Sequence, residues 1–117
     1  MQRVCADSFR DLLLEAEAGN VELAMSVVNL GEIWYAIARA VSHEMADQYI
    51  QRIRGMPIEI VDVDWQLTRQ AAMFRAAGKI AYADCFAAAL GKIRQAEVVT
   101  GDKEFQTLEG EIKIEWI

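Results

Sequence analysis

Two kinds of apolar periodicity alternate along the chain, and that alternation constrains the fold more than composition does. Phe9, Leu12, Leu13 and Ala16 recur at helical spacing within residues 8–18, and Gly19-Asn20 supplies the stop. Residues 21–28 then read as a short strand rich in Val and Leu. A helix follows at once, with Leu30, Ile33, Trp34, Ile37 and Val41 on one stripe. Tyr35, Ala36 and Ala40 leave it little polar surface elsewhere, so burial on most sides is expected. Ser42-His43-Glu44 marks a further helix start, carried by Ala46, Tyr49, Ile50 and Ile53 to Gly55. Beyond Pro57, residues 58–63 alternate as a strand, and Asp64 is placed as the N-cap of a helix running through Leu67, Ala71 and Phe74 towards Gly78. Another helix spans residues 82–94, residues 97–100 form a short buried strand, and residues 111–117 alternate as a closing strand. Strands separated by helices predict an α/β domain of three layers, a mostly parallel central sheet flanked by helices. Such sheets place their sites beyond the carboxyl ends of the strands.

With 117 residues, 54% of them hydrophobic, and a single proline, the chain suits one domain with a proper core. A net charge of −6 opposes general attraction to nucleic acid or to anionic membranes, so a polyanionic partner has to be met locally. The same carboxylates are what a divalent-cation site needs, and a filled site reverses the local field. Cys5 and Cys85 stand far apart without His or Cys neighbours at ligand spacing, which suggests neither zinc nor a disulfide framework and makes a reducing cytoplasm the expected compartment. The first residues lack an apolar signal region, and no apolar run approaches the roughly 18 residues of a membrane span, so a soluble, non-exported chain is expected. His43, the only histidine, is read as a surface or capping residue, which removes His-based catalysis; Ser8, Ser26 and Ser42 then lack a His partner. Trp34, Trp65 and Trp116 stand at apolar positions, where core packing is expected rather than base stacking.

Three carboxylates stand out. Asp84 is the only charge in the run from Ile80 to Leu90, and an ionised carboxylate in so apolar a segment needs compensation. A raised pKa, a basic partner such as Lys79 or an arginine, or a cation would each supply it. On a helical wheel Ala88, Gly91 and Gln95 share its side, a face of small residues that leaves room for a ligand. Glu32 lies at the first turn of a helix just beyond a strand, although Asn29-x-x-Glu32 also reads as a capping box. Asp102 follows the strand ending at Thr100 by two residues, and it also suits the cap of a helical turn over residues 103–107. Together the three form a plausible constellation for a hard cation such as Mg²⁺ or Mn²⁺.

The segments Ser26-Val-Val-Asn-Leu-Gly-Glu32-Ile, Tyr82-Ala-Asp84-Cys-Phe-Ala-Ala-Ala89 and Val98-Val-Thr-Gly-Asp102-Lys-Glu-Phe105 resemble the acidic segments of PIN-domain proteins, and in particular of VapC-type toxins. The resemblance implies a Mg²⁺- or Mn²⁺-dependent endoribonuclease, held inactive by a cognate antitoxin protein and often a homodimer. Glu32, Asp84 and Asp102 match three of the family's metal-binding acids, and Thr100 matches a supporting hydroxyl position. The family pattern begins with a central strand carrying a further Asp, followed by two helices, whereas too few residues separate Asp7 from Glu32 for both. A single PIN-like domain over residues 1–117, shortened at its N-terminus, is therefore expected, with Asp7 read as the N-cap of the first helix. The central slot is left to a short strand near residues 3–6, to a second chain, or to residues upstream of Met1. Two functions follow: a metal-dependent endoribonuclease acting on RNA, or a catalytically impaired PIN remnant serving as an interaction module.

Overall fold

The computed structural model describes residues 2–5 and 10–117. Among the described residues, five strands form one fully parallel sheet: β1 (Gln2–Cys5), β2 (Glu22–Ser26), β3 (Ile58–Val61), β4 (Glu97–Thr100) and β5 (Lys113–Trp116), in the order β3-β2-β1-β4-β5. Parallel neighbours need crossovers, and the helices supply them: α1 (Arg10–Glu17), α2 (Val27–Ala40), α3 (His43–Arg54), α4 (Trp65–Ala77) and α5 (Tyr82–Arg94), with a 3₁₀ turn at Lys103–Leu108 before the last strand. Of the three occupants considered for the central slot, the first is found. Val4 sits in register between Ala24 of β2 and Val98 of β4, so the slot is filled from within the chain. Among the described residues one helix, α1, joins β1 to β2. The N-cap role expected of Asp7 lies outside the described residues.

Strand alternation divides the core into two layers, one on each face of the sheet. Leu23, Met25 and Val99 face α1 to α3 and meet Leu13, Ala16, Leu30, Ile50 and Ile53. Ala24 and Val98 face the other way, into a layer built from Leu67, Ala71 and Phe74 of α4, the buried run Cys85 to Leu90 of α5, and Phe105, Leu108 and Ile112. Local chemistry starts the helices. Asp64 caps α4 by accepting from Leu67 N at 2.8 Å, Ser42 caps α3 by accepting from Met45 N at 3.0 Å, and Ser26 caps α2 by accepting from Val28 N at 3.1 Å.

That last cap ends β2 two residues before the boundary expected at Val28, and it overturns the capping-box reading of Asn29 and Glu32, both of which lie inside α2. Expected burial also changes in three places. In α2 only Leu30 is buried, while Tyr35 is 48% and the following Val41 67% exposed, because α2 packs on the sheet, α3 and α5 and, among the described residues, no element covers its outer side. Trp65 is 71% exposed as the first residue of α4, and Trp116 is 42% exposed on an edge strand; position at an element's end or at the sheet's edge outweighs their hydrophobicity. Trp34 is half-buried, with its indole Nε1 donating to Asp47 Oδ1 at 2.8 Å and its ring tilted against that of the exposed His43.

The small-residue face of α5 lets the helix approach β4 closely at Gly91. A Cβ on Gly91 would fall well inside van der Waals contact with Val98 Cγ2 and 3.3 Å from Ala96 O. Val98 is fully buried and β-branched, so it cannot swing aside. Gly91→Ala gains about 1 kcal/mol of helix propensity, against about 1–3 kcal/mol for overpacking a core. A net loss is expected, visible as a melting temperature lowered by a few degrees.

At the far end of α5, Arg94 donates to both oxygens of Glu59 on β3, at 2.7 and 2.9 Å. This fork holds the Glu59 carboxyl below the ordinary carboxylate range. Because the folded value is the lower one, the pair's stabilisation is present above the unfolded pKa and disappears as pH falls through the folded one. Glu59 is exposed and Arg94 half-buried, so solvent screens the pair and its size is about 0.2–1 kcal/mol. Arg94→Gln should therefore lower the melting temperature slightly at pH 7, and the difference between the two proteins should shrink as the pH is lowered through the folded-state titration of Glu59.

Candidate metal centre

The carboxyl ends of the parallel strands gather the acidic residues. Asp84 lies in the first turn of α5, whose N-terminus has no side-chain cap, so the oriented backbone amides there favour its negative charge. Asp102 follows β4 and begins the 3₁₀ turn. Its backbone N–H donates to Thr100 Oγ1 at 3.0 Å, and its Oδ1 accepts from Glu104 N at 2.9 Å. Thr100 is buried at the strand's end, and its hydroxyl holds this turn through the backbone. Phe105, 1% exposed, pins the same turn into the core.

These constraints converge three carboxylates. One oxygen each from Asp84, Asp102 and Glu104 can be chosen so that all lie within 4.8 Å of one another. Asp84 is half-buried, while Asp102 and Glu104 are exposed. Three like charges so close repel, and a bound divalent cation is the arrangement that turns the repulsion into attraction. The donor set is all carboxylate oxygen, the chemistry of hard cations such as Mg²⁺ and Mn²⁺ rather than of zinc or copper.

Of the residues expected in the site, Asp84 and Asp102 belong to this group and Glu32 does not. Glu32 is half-buried on α2, where its Oε1 accepts from Asn29 Nδ2 at 3.2 Å. The same amide nitrogen donates to the carbonyl of Ala83 at 3.0 Å, tying Glu32 to the residue beside Asp84. Glu104 was absent from the expected set. Its signal in the sequence was present, an acid two residues beyond Asp102 and immediately before an aromatic residue, but only the capped 3₁₀ turn brings the two carboxylates to one side. Cys85, next to Asp84, takes no part: burial first and the Asp84 charge second push its thiol pKa up, so the reactive thiolate is disfavoured.

A parallel α/β domain with an acidic centre at the carboxyl edge of its sheet defines the class. The family is then identified by a PIN domain model that matches residues 3–111, and the chain belongs to the PIN-domain family. No curated protein is a significant match. Among solved structures the fold is similar to a chain of VapBC2 from Rickettsia felis bound to a DNA fragment from its promoter, with TM-score 0.78 and 20% identity over 100% of this chain and 99% of that one. It is similar to a chain of the toxin-antitoxin system VapBC-5 from Mycobacterium tuberculosis, with TM-score 0.69 and 21% identity over 99% and 97% of the two chains. A third likeness is to VapC20 from Mycobacterium tuberculosis, described as a sarcin-ricin loop cleaving toxin, with TM-score 0.68 and 17% identity over 97% and 98%. No helix among the described residues is long and apolar enough to cross a membrane.

Proposed function

We propose that this chain is a metal-dependent endoribonuclease of the VapC toxin type, hydrolysing RNA phosphodiester bonds with a Mg²⁺ or Mn²⁺ ion held by Asp84, Asp102 and Glu104, with Glu32 beside them. The observation that carries the reading is the convergence of three carboxylates within 4.8 Å at the carboxyl end of the sheet. When bound, such a cation supplies Lewis-acid stabilisation for charge building on the scissile phosphate and makes water a competent nucleophile near neutral pH.

The protein's own part is orientation. Asp84 presents its carboxylate from a buried helix whose position is fixed by packing on both sides, so it is the anchor of the site. Asp102 and Glu104 share one turn, held by the Thr100 hydroxyl, by the Asp102 cap and by Phe105. The two exposed carboxylates leave the outer side of the centre open to solvent, where a phosphodiester can approach. No side chain has to form a covalent intermediate, in keeping with the inert Cys85 and the remote His43. RNA as the substrate class is supported by the likeness to a neighbour described as a sarcin-ricin loop cleaving toxin, and it fits a chain whose net negative charge leaves local contacts to do the binding.

An antitoxin protein and a second copy of the chain are the expected partners, since neighbours are toxin-antitoxin complexes. Tyr35 on α2 and Met45 and Tyr49 on α3 are exposed apolar residues that such a partner would cover. A cytoplasmic location accords with that reading.

Incubation of the chain with single-stranded RNA in EDTA, Mg²⁺ or Mn²⁺ tests the proposal. Cleavage in either metal and none in EDTA is expected. Intact RNA in all three, with a melting temperature indifferent to Mn²⁺, would put the non-catalytic interaction module in its place.

A further inference from the structure

Asn29 has the sequence position of a helix cap but is not one, because Ser26 fills that role. Its amide does something else. Nδ2 donates one hydrogen bond to Glu32 Oε1, one turn further along α2, and another to the carbonyl of Ala83, on the first turn of α5. Both partners are acceptors, so the amide has one workable orientation; turned over, it would set oxygen against two oxygens. Its Oδ1, in that orientation, is buried without a hydrogen-bond partner. Buried polar atoms are nearly always paired, and an asparagine that gives up one atom to use both hydrogens of the other is held there by those two donations.

From this geometry we infer that Asn29 is a positioning residue for the metal centre, holding the Glu32 carboxylate against the start of α5 so that it faces a cation bound by Asp84, Asp102 and Glu104. The inference rests on the metal-site reading above. The two donations come from a single nitrogen, so the distance from Glu32 to the Ala83-Asp84 peptide is fixed by one side chain rather than by two independent helices. Without that amide, Glu32 is a glutamate with three rotatable bonds near the α2 surface, and its carboxylate gains alternative rotamers directed to solvent. A residue that only joined two helices would influence stability; one that positions a ligand influences metal affinity through Glu32 alone.

A double-mutant cycle separates these roles. Mn²⁺ affinity is measured by titration calorimetry on the wild-type chain, Asn29→Ala, Glu32→Ala and the double variant, after each has been melted in EDTA to show that it is folded. Groups that orient metal ligands typically contribute about 10–100-fold in affinity, so Asn29→Ala should raise the Mn²⁺ dissociation constant by about 10-fold. In the Glu32→Ala background the same substitution should change it less than about 2-fold, because the group it acts through is gone. Equal weakening in both backgrounds, or an unchanged constant in Asn29→Ala, overturns the assignment. Should Asn29→Ala fail to fold, Asn29→Asp keeps the shape but donates to neither oxygen, and it should also weaken binding. Tighter binding by Asn29→Asp would overturn the assignment as well, since position 29 would then be a ligand position in its own right. A wild-type chain that takes up no Mn²⁺ overturns the metal-site reading and this assignment with it; wild-type uptake with an unaffected Asn29→Ala overturns this assignment alone.

Discussion

Asp84→Asn is expected to reduce metal-dependent RNA cleavage by at least about 100-fold, since even groups that merely orient a ligand contribute about 10–100-fold and Asp84 is the most firmly placed of the three acids. Asparagine preserves the shape at the first turn of α5 but gives up one of the converging charges. The same variant should lose the rise in melting temperature that Mn²⁺ gives the parent chain. A cation at a hundredfold excess over its dissociation constant stabilises by about 2.7 kcal/mol through mass action, a shift of roughly 10 °C for a domain of this size. Thermal melts in EDTA and Mn²⁺, together with initial cleavage rates, check both outcomes. Undiminished cleavage by the variant would remove Asp84 from the site.

Phe105→Ala is expected to cost about 3–5 kcal/mol, the range for emptying a large aromatic side chain from a core. Phe105 is 1% exposed among Leu108, Ile112 and the residues of α4 and α5. Against a total stability of about 5–15 kcal/mol for a domain, that is a large fraction, and the transition in urea should move accordingly. The consequence extends to the site because Phe105 is the next residue after Glu104. Emptying its pocket frees the turn that carries Asp102 and Glu104, so the surviving folded protein should also bind Mn²⁺ more weakly. Phe105→Leu, which refills most of the volume, should recover the greater part of both losses. A cost below about 1 kcal/mol would show that the turn is not anchored by this ring.

Much of this arrangement was legible in the residues, and the parts that were not fail for identifiable physical reasons. Helix α5 and strand β4 have the bounds that periodicity predicts, residues 82–94 and 97–100, because an apolar run bounded by a short polar break allows few alternatives. Asp64 and Ser42 act as caps because capping is decided within one turn. Asn29-x-x-Glu32 was misread for the same locality: two competent caps, Ser26 and Asn29, stand three residues apart, and only the end of β2 decides between them. The small residues of α5 have one composition and two uses, space for a ligand or close approach of a strand, and at Gly91 the neighbouring Val98 shows the second. Trp65 and Trp116 carry hydrophobicity without direction, and both face outward. Glu104 lies within the turn that Asp102 announces as its cap, but the cap signal does not say that the turn winds as 3₁₀ and so brings the Glu104 carboxylate beside that of Asp102.

The most direct test of the central claim is an anomalous-difference map from crystals of the chain grown or soaked in Mn²⁺. A peak within coordination distance, about 2.0–2.6 Å for oxygen ligands of hard divalent cations, of carboxylate oxygens from Asp84 and Asp102, with Glu104 in direct or water-mediated contact, is the result the account predicts. A map with no peak at these carboxylates, at Mn²⁺ concentrations that support RNA cleavage, would contradict it.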